Sequence, residues 1–374
     1  MINTLTGLRG YAALSIVFFH ILWNNREYYD MGIGRLMDWT PMKMFYLHLW
    51  VAVDVFFILS GFILTYKYYQ IFIDRFSFKN LGLFILKRFL RIYPLHFISL
   101  MICFAFYLLG MLDDKIGNVD ALIYHLTLTF TWWFYPEEYG GTWNIPSWSL
   151  SAEWFSYFFF IPIIYIFKNN IKTTIFGILA ILTIVFFYGL IYPGDPFASG
   201  KRALLGLLFG YFIFHIYNHE KIKNLNINKH SDKIVYMVIS LLLIITLYLS
   251  NNLYYNPLLY KYFFVYTFIV IALSILFLPK CTGIMKFMFD NRVIMFLGNI
   301  SYSIYIFQYP IYIFMDRYKY PFVKYMIIDD QLSQLVLWLF VIGVIFLIII
   351  FATIMHYLIE KPLMNYFKAR LILK

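Results

Sequence analysis

Charge is what this sequence has least of. Only 13% of its 374 residues are Asp, Glu, Lys or Arg, against 62% hydrophobic. A water-soluble domain normally carries about a quarter charged residues. So few charges cannot cover a globular surface, which excludes water as the main solvent and leaves lipid. Cysteine is scarce too. Cys103 and Cys281 lie far apart, in or beside apolar segments, and read as small buried residues. That pattern supports neither a disulfide framework nor a metal site. Ser/Gly linkers are missing as well, and no stretch reads as a soluble domain, so a single membrane domain over 1–374 is expected. The first apolar segment has no basic n-region, contains Arg9 and His20, and is followed by no small-residue cleavage site, so it does not read as a cleaved signal peptide. The net charge of +11 raises the question of nucleic acid. The basic residues instead cluster in short segments between apolar runs, as cytoplasmic loops do, and no nucleic-acid partner is expected.

What the sequence has in abundance is long apolar runs. Beyond Gln334 about twenty positions pass without an acidic or basic residue, enough to cross ~30 Å of hydrocarbon. Runs of this kind predict helices over 5–24, 46–69, 84–110, 148–167, 173–192, 202–217, 233–250, 261–278, 293–316 and 334–359. The fold class is therefore all-α, a polytopic membrane bundle of about ten helices. A further piece, Ala121–Phe134, is short for a crossing and is expected to be re-entrant or to lie on the surface. The stretch Lys67–Arg91 carries six basic residues against Asp74, which puts it in the cytoplasm and the N-terminus inside. With 121–134 not spanning, the basic loops after 167, 217 and 279 and the Lys368/Arg370/Lys374 tail also face inward, so both termini are cytoplasmic. Lys201/Arg202 and Arg317/Lys319 then sit at outer ends, a local exception.

An ionisable residue inside a span is a functional candidate by default, because burying charge in lipid is costly. The first span holds Arg9 and His20. Eleven residues at ~100° each bring them to one face, ~16 Å apart along the axis. Arg9 falls near the cytoplasmic end and His20 in the outer half. His20 reads either as a packing histidine or as a base. Asp54 and Glu153 enter from the outer side in two other spans, at similar depth. A carboxylate beside a histidine orients the imidazole as a general base. The alternative for each carboxylate is a structural ion pair with an arginine such as Arg202. Arg88 and Arg91 share a helix face at the cytoplasmic boundary. They read as positive-inside anchors or, with Arg9, as a clasp for phosphates. Farther on, Tyr302, Tyr305 and Tyr309 share a face of an unusually polar span, read as close packing or as the lining of a substrate tunnel. Glu360 and Lys361 read as an unremarkable surface ion pair.

In order, these segments are LTGLRGYAALSIVFFH, VDVFFILSGFILT, KRFLRIYP, WSLSAEWF, LGNISYSIYIFQYP and IEKP. Together they resemble the acyltransferase-3 family of bacterial membrane O-acyltransferases over almost the whole chain. The resemblance implies ten helices in the bacterial cytoplasmic membrane, acetyl-CoA as co-substrate with no permanently bound cofactor, and a glycan or glycolipid acceptor. It implies essential roles for Arg9, His20, Arg88 and Arg91; beside it, the reading of the residues assigns Arg9, Arg88 and Arg91 to donor binding and His20, with Asp54 and Glu153, to catalysis. Ser60, Trp148, Tyr302, Tyr305 and Gln308 are expected along the substrate tunnel, and a homodimer is one assembly left open. The family often has His where this chain has Gln308; glutamine cannot exchange a proton, so a hydrogen-bonding role is expected there. The rival class is a transporter or flippase, though no internal repeat or paired broken helices are evident.

Overall fold

The computed structural model describes residues 2–24, 48–112, 118–132, 142–167, 170–188, 198–224, 257–324, 327–328, 331–332 and 334–370, with scattered positions between 233 and 245. These residues are almost entirely helical. Helix α1 is Asn3–Asn24, α2 is Ala52–Asp74, α3 is Phe78–Leu108 and α4 is Leu122–Leu126. Then come α5 (Trp148–Ile166), α6 (Ile171–Tyr188), α7 (Ala198–Asn218), the single turn α8 (Glu220–Lys223) and α9 (Pro257–Phe277). Helices α10 (Ile284–Phe289), α11 (Arg292–Asn299) and α12 (Ser301–Lys324) lead into a two-residue hairpin pairing Ile327–Ile328 with Gln331–Leu332. The described chain closes with α13 (Gln334–Met355) and α14 (Lys361–Arg370), joined by a turn of π-helix at His356–Glu360.

Six segments among the described residues are long and apolar enough to cross a membrane: Asn3–Leu22, Leu49–Asp74, Phe78–Leu108, Ile145–Ile166, Phe263–Lys280 and Trp338–Phe367. Their outer faces match the solvent. Leu339, Ile342 and Phe346, at helical spacing on α13, stay more than half exposed, as lipid-facing side chains do. Helices α6 and α7 stand where two further spans are expected. Expected span 233–250 lies mostly outside the described residues.

The helices meet through small residues. A side chain on Gly61 of α2 would land on the Leu207 backbone of α7, and one on Gly210 would land on the Ile58 carbonyl. Gly206 and Gly210 form a G-xxx-G pair that lets α2 and α7 approach backbone to backbone. Gly298 serves the same purpose between α11 and Thr6 of α1.

Several boundaries differ from expectation, each for a local reason. The basic stretch is not a loop. Only Arg75, Phe76 and Ser77 separate α2 from α3, because the Ser77 side chain accepts from the Asn80 amide at 3.1 Å and starts α3 early. Arg88 and Arg91 therefore sit inside a helix. That helix ends at Gly110, whose positive φ of 67° allows a Schellman closure: Met111 N donates to Phe106 O and Gly110 N to Tyr107 O. The expected span 293–316 is two helices broken at Ile300, where Ser301 Oγ takes the Gly298 carbonyl at 2.8 Å. The piece 121–134 contains only the short α4 in its described part, so it does not cross. Its irregular backbone is satisfied by side chains of neighbouring helices. His96 Nε2 donates to the His125 carbonyl, Ser151 Oγ donates to Leu128 O, and the Thr131 amide donates to Ser151 Oγ. Such backbone is tolerated at membrane depth only where protein supplies partners.

Candidate active site

A cavity of about 490 Å³ opens between α1, α2, α3, α5, α12 and α14. Along α2 its wall runs from Val53 to Lys67, fourteen residues or ~21 Å of helix. One end is basic, with Lys67, Arg88, Arg91 and Lys361; Arg9, Ser60 and Glu153 also line the cavity, and Ser149 and Tyr305 stand toward the other end.

At the basic end, α3 places Arg88 and Arg91 on one face, one turn apart. Arg91 is bound: its guanidinium donates to Glu360 and lies 5.4 Å from the Tyr302 ring centre. Arg88 donates only to the Tyr68 hydroxyl, at 3.2 Å, and its Nε is buried without a hydrogen bond. Arg9, Arg88 and Arg91 act on one another or on shared neighbours electrostatically. No carboxylate contacts Arg9 or Arg88 among the described residues. Three guanidinium groups held this close, two of them without a direct carboxylate contact, suit an anion with several oxygens.

Glu360 corrects the sequence reading. It is 3% exposed, not a surface residue. The π-turn carries it inward, where it accepts from Arg91, from Ser303 Oγ at 2.8 Å and from His356 Nδ1 at 2.8 Å. Extra turns of this kind often mark functional sites. Charge alone could not reveal this, since a carboxylate at a helix end is usually solvated; its place in IEKP was the available signal.

Glu153 lies in the cavity wall. Its Oε1 accepts from Ser60 Oγ and, at 2.6 Å, from Tyr157 OH, and its charge reaches Arg9. Asp54 is elsewhere. Its two oxygens take Arg202 Nε at 2.7 Å and the outer nitrogen at 2.8 Å, with both side chains almost fully buried. The Trp50 and Trp148 rings flank the same guanidinium at 4.8 and 5.6 Å. Trp148 thus braces Arg202 and does not line the cavity, contrary to expectation.

His20 has neither carboxylate beside it. Its Nδ1 is 3.2 Å from Gln308 Oε1. Gln308 Nε2 donates to the Tyr305 carbonyl at 2.9 Å, which turns the amide oxygen toward the imidazole. An acceptor at Nδ1 requires the proton there and leaves Nε2 with its lone pair. The expectation that Asp54 or Glu153 orients His20 is corrected: Asp54 is neutralised by Arg202, because a buried charge must be paired, and Glu153 faces the cavity. Gln308 does the orienting, off the cavity wall. Tyr305 is the link. It lines the cavity and shares its hydroxyl with Ser149 Oγ at 2.7 Å, while Gln308 sits one turn farther along α12. No group of His, Cys, Asp and Glu fit to hold a metal occurs among the described residues.

Comparison with known proteins adds the following. A family model described as "Acyltransferase domain" matches residues 2–357. A provisionally named O-acetyltransferase of Staphylococcus aureus (strain COL) is 25% identical over 382 aligned positions, covering 96% of this chain and 56% of that protein. The provisionally named peptidoglycan O-acetyltransferase YrhL of Bacillus subtilis (strain 168) is 21% identical, covering 96% of this chain and 54% of its own length. Acyltransferase MdmB of Streptomyces mycarofaciens is 33% identical over 166 residues, 43% of this chain and 38% of that protein. The chain thus spans about half the length of the full-coverage relatives. No solved structure matches.

Proposed function

Since this chain belongs to the acyltransferase domain family, matched over residues 2–357, we infer that it is a membrane O-acyltransferase. It takes an acyl group, acetyl as the expected one, from a cytoplasmic CoA thioester. It delivers that group to a hydroxyl of a glycan or glycolipid at the outer side. The names of the relatives favour O-acetylation, and one of them names peptidoglycan.

The observation that carries this reading is the cavity running from Arg9, Arg88 and Arg91 to Tyr305, whose carbonyl holds the Gln308 amide that contacts His20. The donor's phosphates sit at Arg9, Arg88 and Arg91. Its extended arm runs along α2, past Ser60 and Glu153, whose free Oε2 can accept from an amide N–H of the arm. The thioester reaches the Tyr305 level. His20 Nε2 takes the proton of the acceptor hydroxyl, the oxygen attacks the thioester carbonyl carbon, and the carbon–sulfur bond breaks. The thiolate leaves inward and takes a proton. In a variant, Nε2 itself attacks first and carries the acyl group before the hydroxyl displaces it.

Arg88 is the clean probe of the phosphate clasp, because removing Arg91 would strand buried Glu360. Arg88→Ala is expected to weaken acetyl-CoA binding about tenfold or more, the loss of one charge-assisted contact, with turnover at saturating donor little changed. Calorimetric titration of the detergent-solubilised protein with acetyl-CoA reads this directly. An unchanged affinity would remove the clasp from the account.

A further inference from the structure

Pro310 lies inside α12 and has no N–H. The carbonyl four residues before it, on Ile306, therefore loses its helical donor. An unpaired carbonyl in a buried helix is costly. Here the Asn144 side chain supplies the donor: its Nδ2 lies 3.0 Å from Ile306 O, and both residues are fully buried. The second hydrogen of that amide reaches Ser99 Oγ at 3.2 Å, and Ser99 donates to the His96 carbonyl at 2.8 Å. His96 in turn donates to the His125 carbonyl. A buried chain of hydrogen bonds thus ties α4, α3 and the turn before α5 to one point on α12.

That point is two residues from Gln308. The same turn and the start of α5 each grip α12 once more, through Tyr305 OH donating to Pro146 O at 2.9 Å and through Ser149 of α5 on the Tyr305 hydroxyl at 2.7 Å. We propose that Asn144 is a positioning residue: by taking the carbonyl that Pro310 frees, it fixes α12 so that Gln308 holds His20 in register with the end of the cavity. The proline makes the clamp necessary, and the asparagine makes the proline tolerable. This role rests on the acyltransferase reading for its consequence, not for its geometry.

The test is a double-mutant cycle on the full chain in detergent, read by thermal unfolding and by acyl transfer from acetyl-CoA. Asn144→Ala lowers the unfolding midpoint and lowers kcat about ten- to a hundredfold, the effect of a small misplacement near the chemistry, while the KM for acetyl-CoA stays within about twofold. Pro310→Ala returns an N–H to Ile306 and stays close to wild type. The double variant recovers most of both losses, because the carbonyl no longer needs Asn144. If Asn144→Ala does not accumulate as folded protein, the double variant must accumulate like wild type. Independent effects in the cycle, or a KM change that accounts for the activity loss, overturn the proposal. Wild-type protein that shows no transfer at all, while the midpoints still couple, refutes the acyltransferase reading and leaves the clamp standing.

Discussion

His20→Ala is expected to lower acyl transfer by about a thousandfold or more while leaving acetyl-CoA affinity and folding intact. The size follows from what a positioned base contributes, roughly a hundred- to ten-thousandfold. The selectivity follows from geometry. His20 is half-buried, makes one side-chain hydrogen bond, to Gln308, and stands apart from the basic end of the cavity. Removing it opens a small space but strands no charge. Single-turnover transfer of labelled acetyl groups measures the effect, with donor titration and the unfolding midpoint as controls. The same experiment separates the two routes. Label trapped on wild-type His20 before acceptor is added supports the acyl-histidine variant; a wild type that never carries label supports direct attack. Transfer by His20→Ala at a rate near wild type would refute the assignment of His20.

The second large effect belongs to Asp54, and it is an effect on stability. Asp54 and Arg202 form a two-point ion pair in a site closed by Trp50 and Trp148. Breaking such a pair leaves an uncompensated buried charge and costs about 3–5 kcal/mol. Asp54→Ala is therefore expected to lower the unfolding midpoint sharply, and to reduce donor binding and transfer together through loss of folded protein. Replacing both partners with leucine removes the stranded charge and should recover most of the folded yield, since apolar replacements of buried pairs are often neutral. A catalytic Asp54 would behave otherwise: the alanine variant would stay folded, bind acetyl-CoA normally and lose turnover alone. That outcome would return Asp54 to the catalytic machinery.

Much of this architecture was legible because it rests on properties a linear sequence carries. Scarce charge and long apolar runs announced a membrane bundle, and a short apolar piece at 121–134 announced something that does not cross. Helical periodicity placed Arg88 and Arg91 on one face. Partner choice is less legible, because it depends on which helices touch. Asp54 and Glu153 enter the bundle at similar depth, yet one meets Arg202 on α7 and the other meets Ser60 and Tyr157. Depth alone could not separate them. Glu360 was misread because a π-turn rotates it inward, and no periodicity rule anticipates an inserted residue. Asn144 was missed because its importance lies in what Pro310, far along the chain, lacks. Gln308 was the opposite case: an amide at a motif position where the resembled family often has His already pointed to a hydrogen-bonding role, and the structure supplies His20 as the partner.

The central claim is transfer of an acyl group from a CoA thioester to a hydroxyl, and thiol release tests it most directly. Purified wild-type protein is incubated with acetyl-CoA, alone and with an envelope-glycan extract as acceptor, and free CoA thiol is followed over time. The account predicts thiol release that depends on the extract, matched by labelled acetyl on glycan and abolished in His20→Ala. Thiol release that never responds to the extract, with labelled glycan instead crossing the bilayer of reconstituted vesicles, would contradict it and favour a transporter.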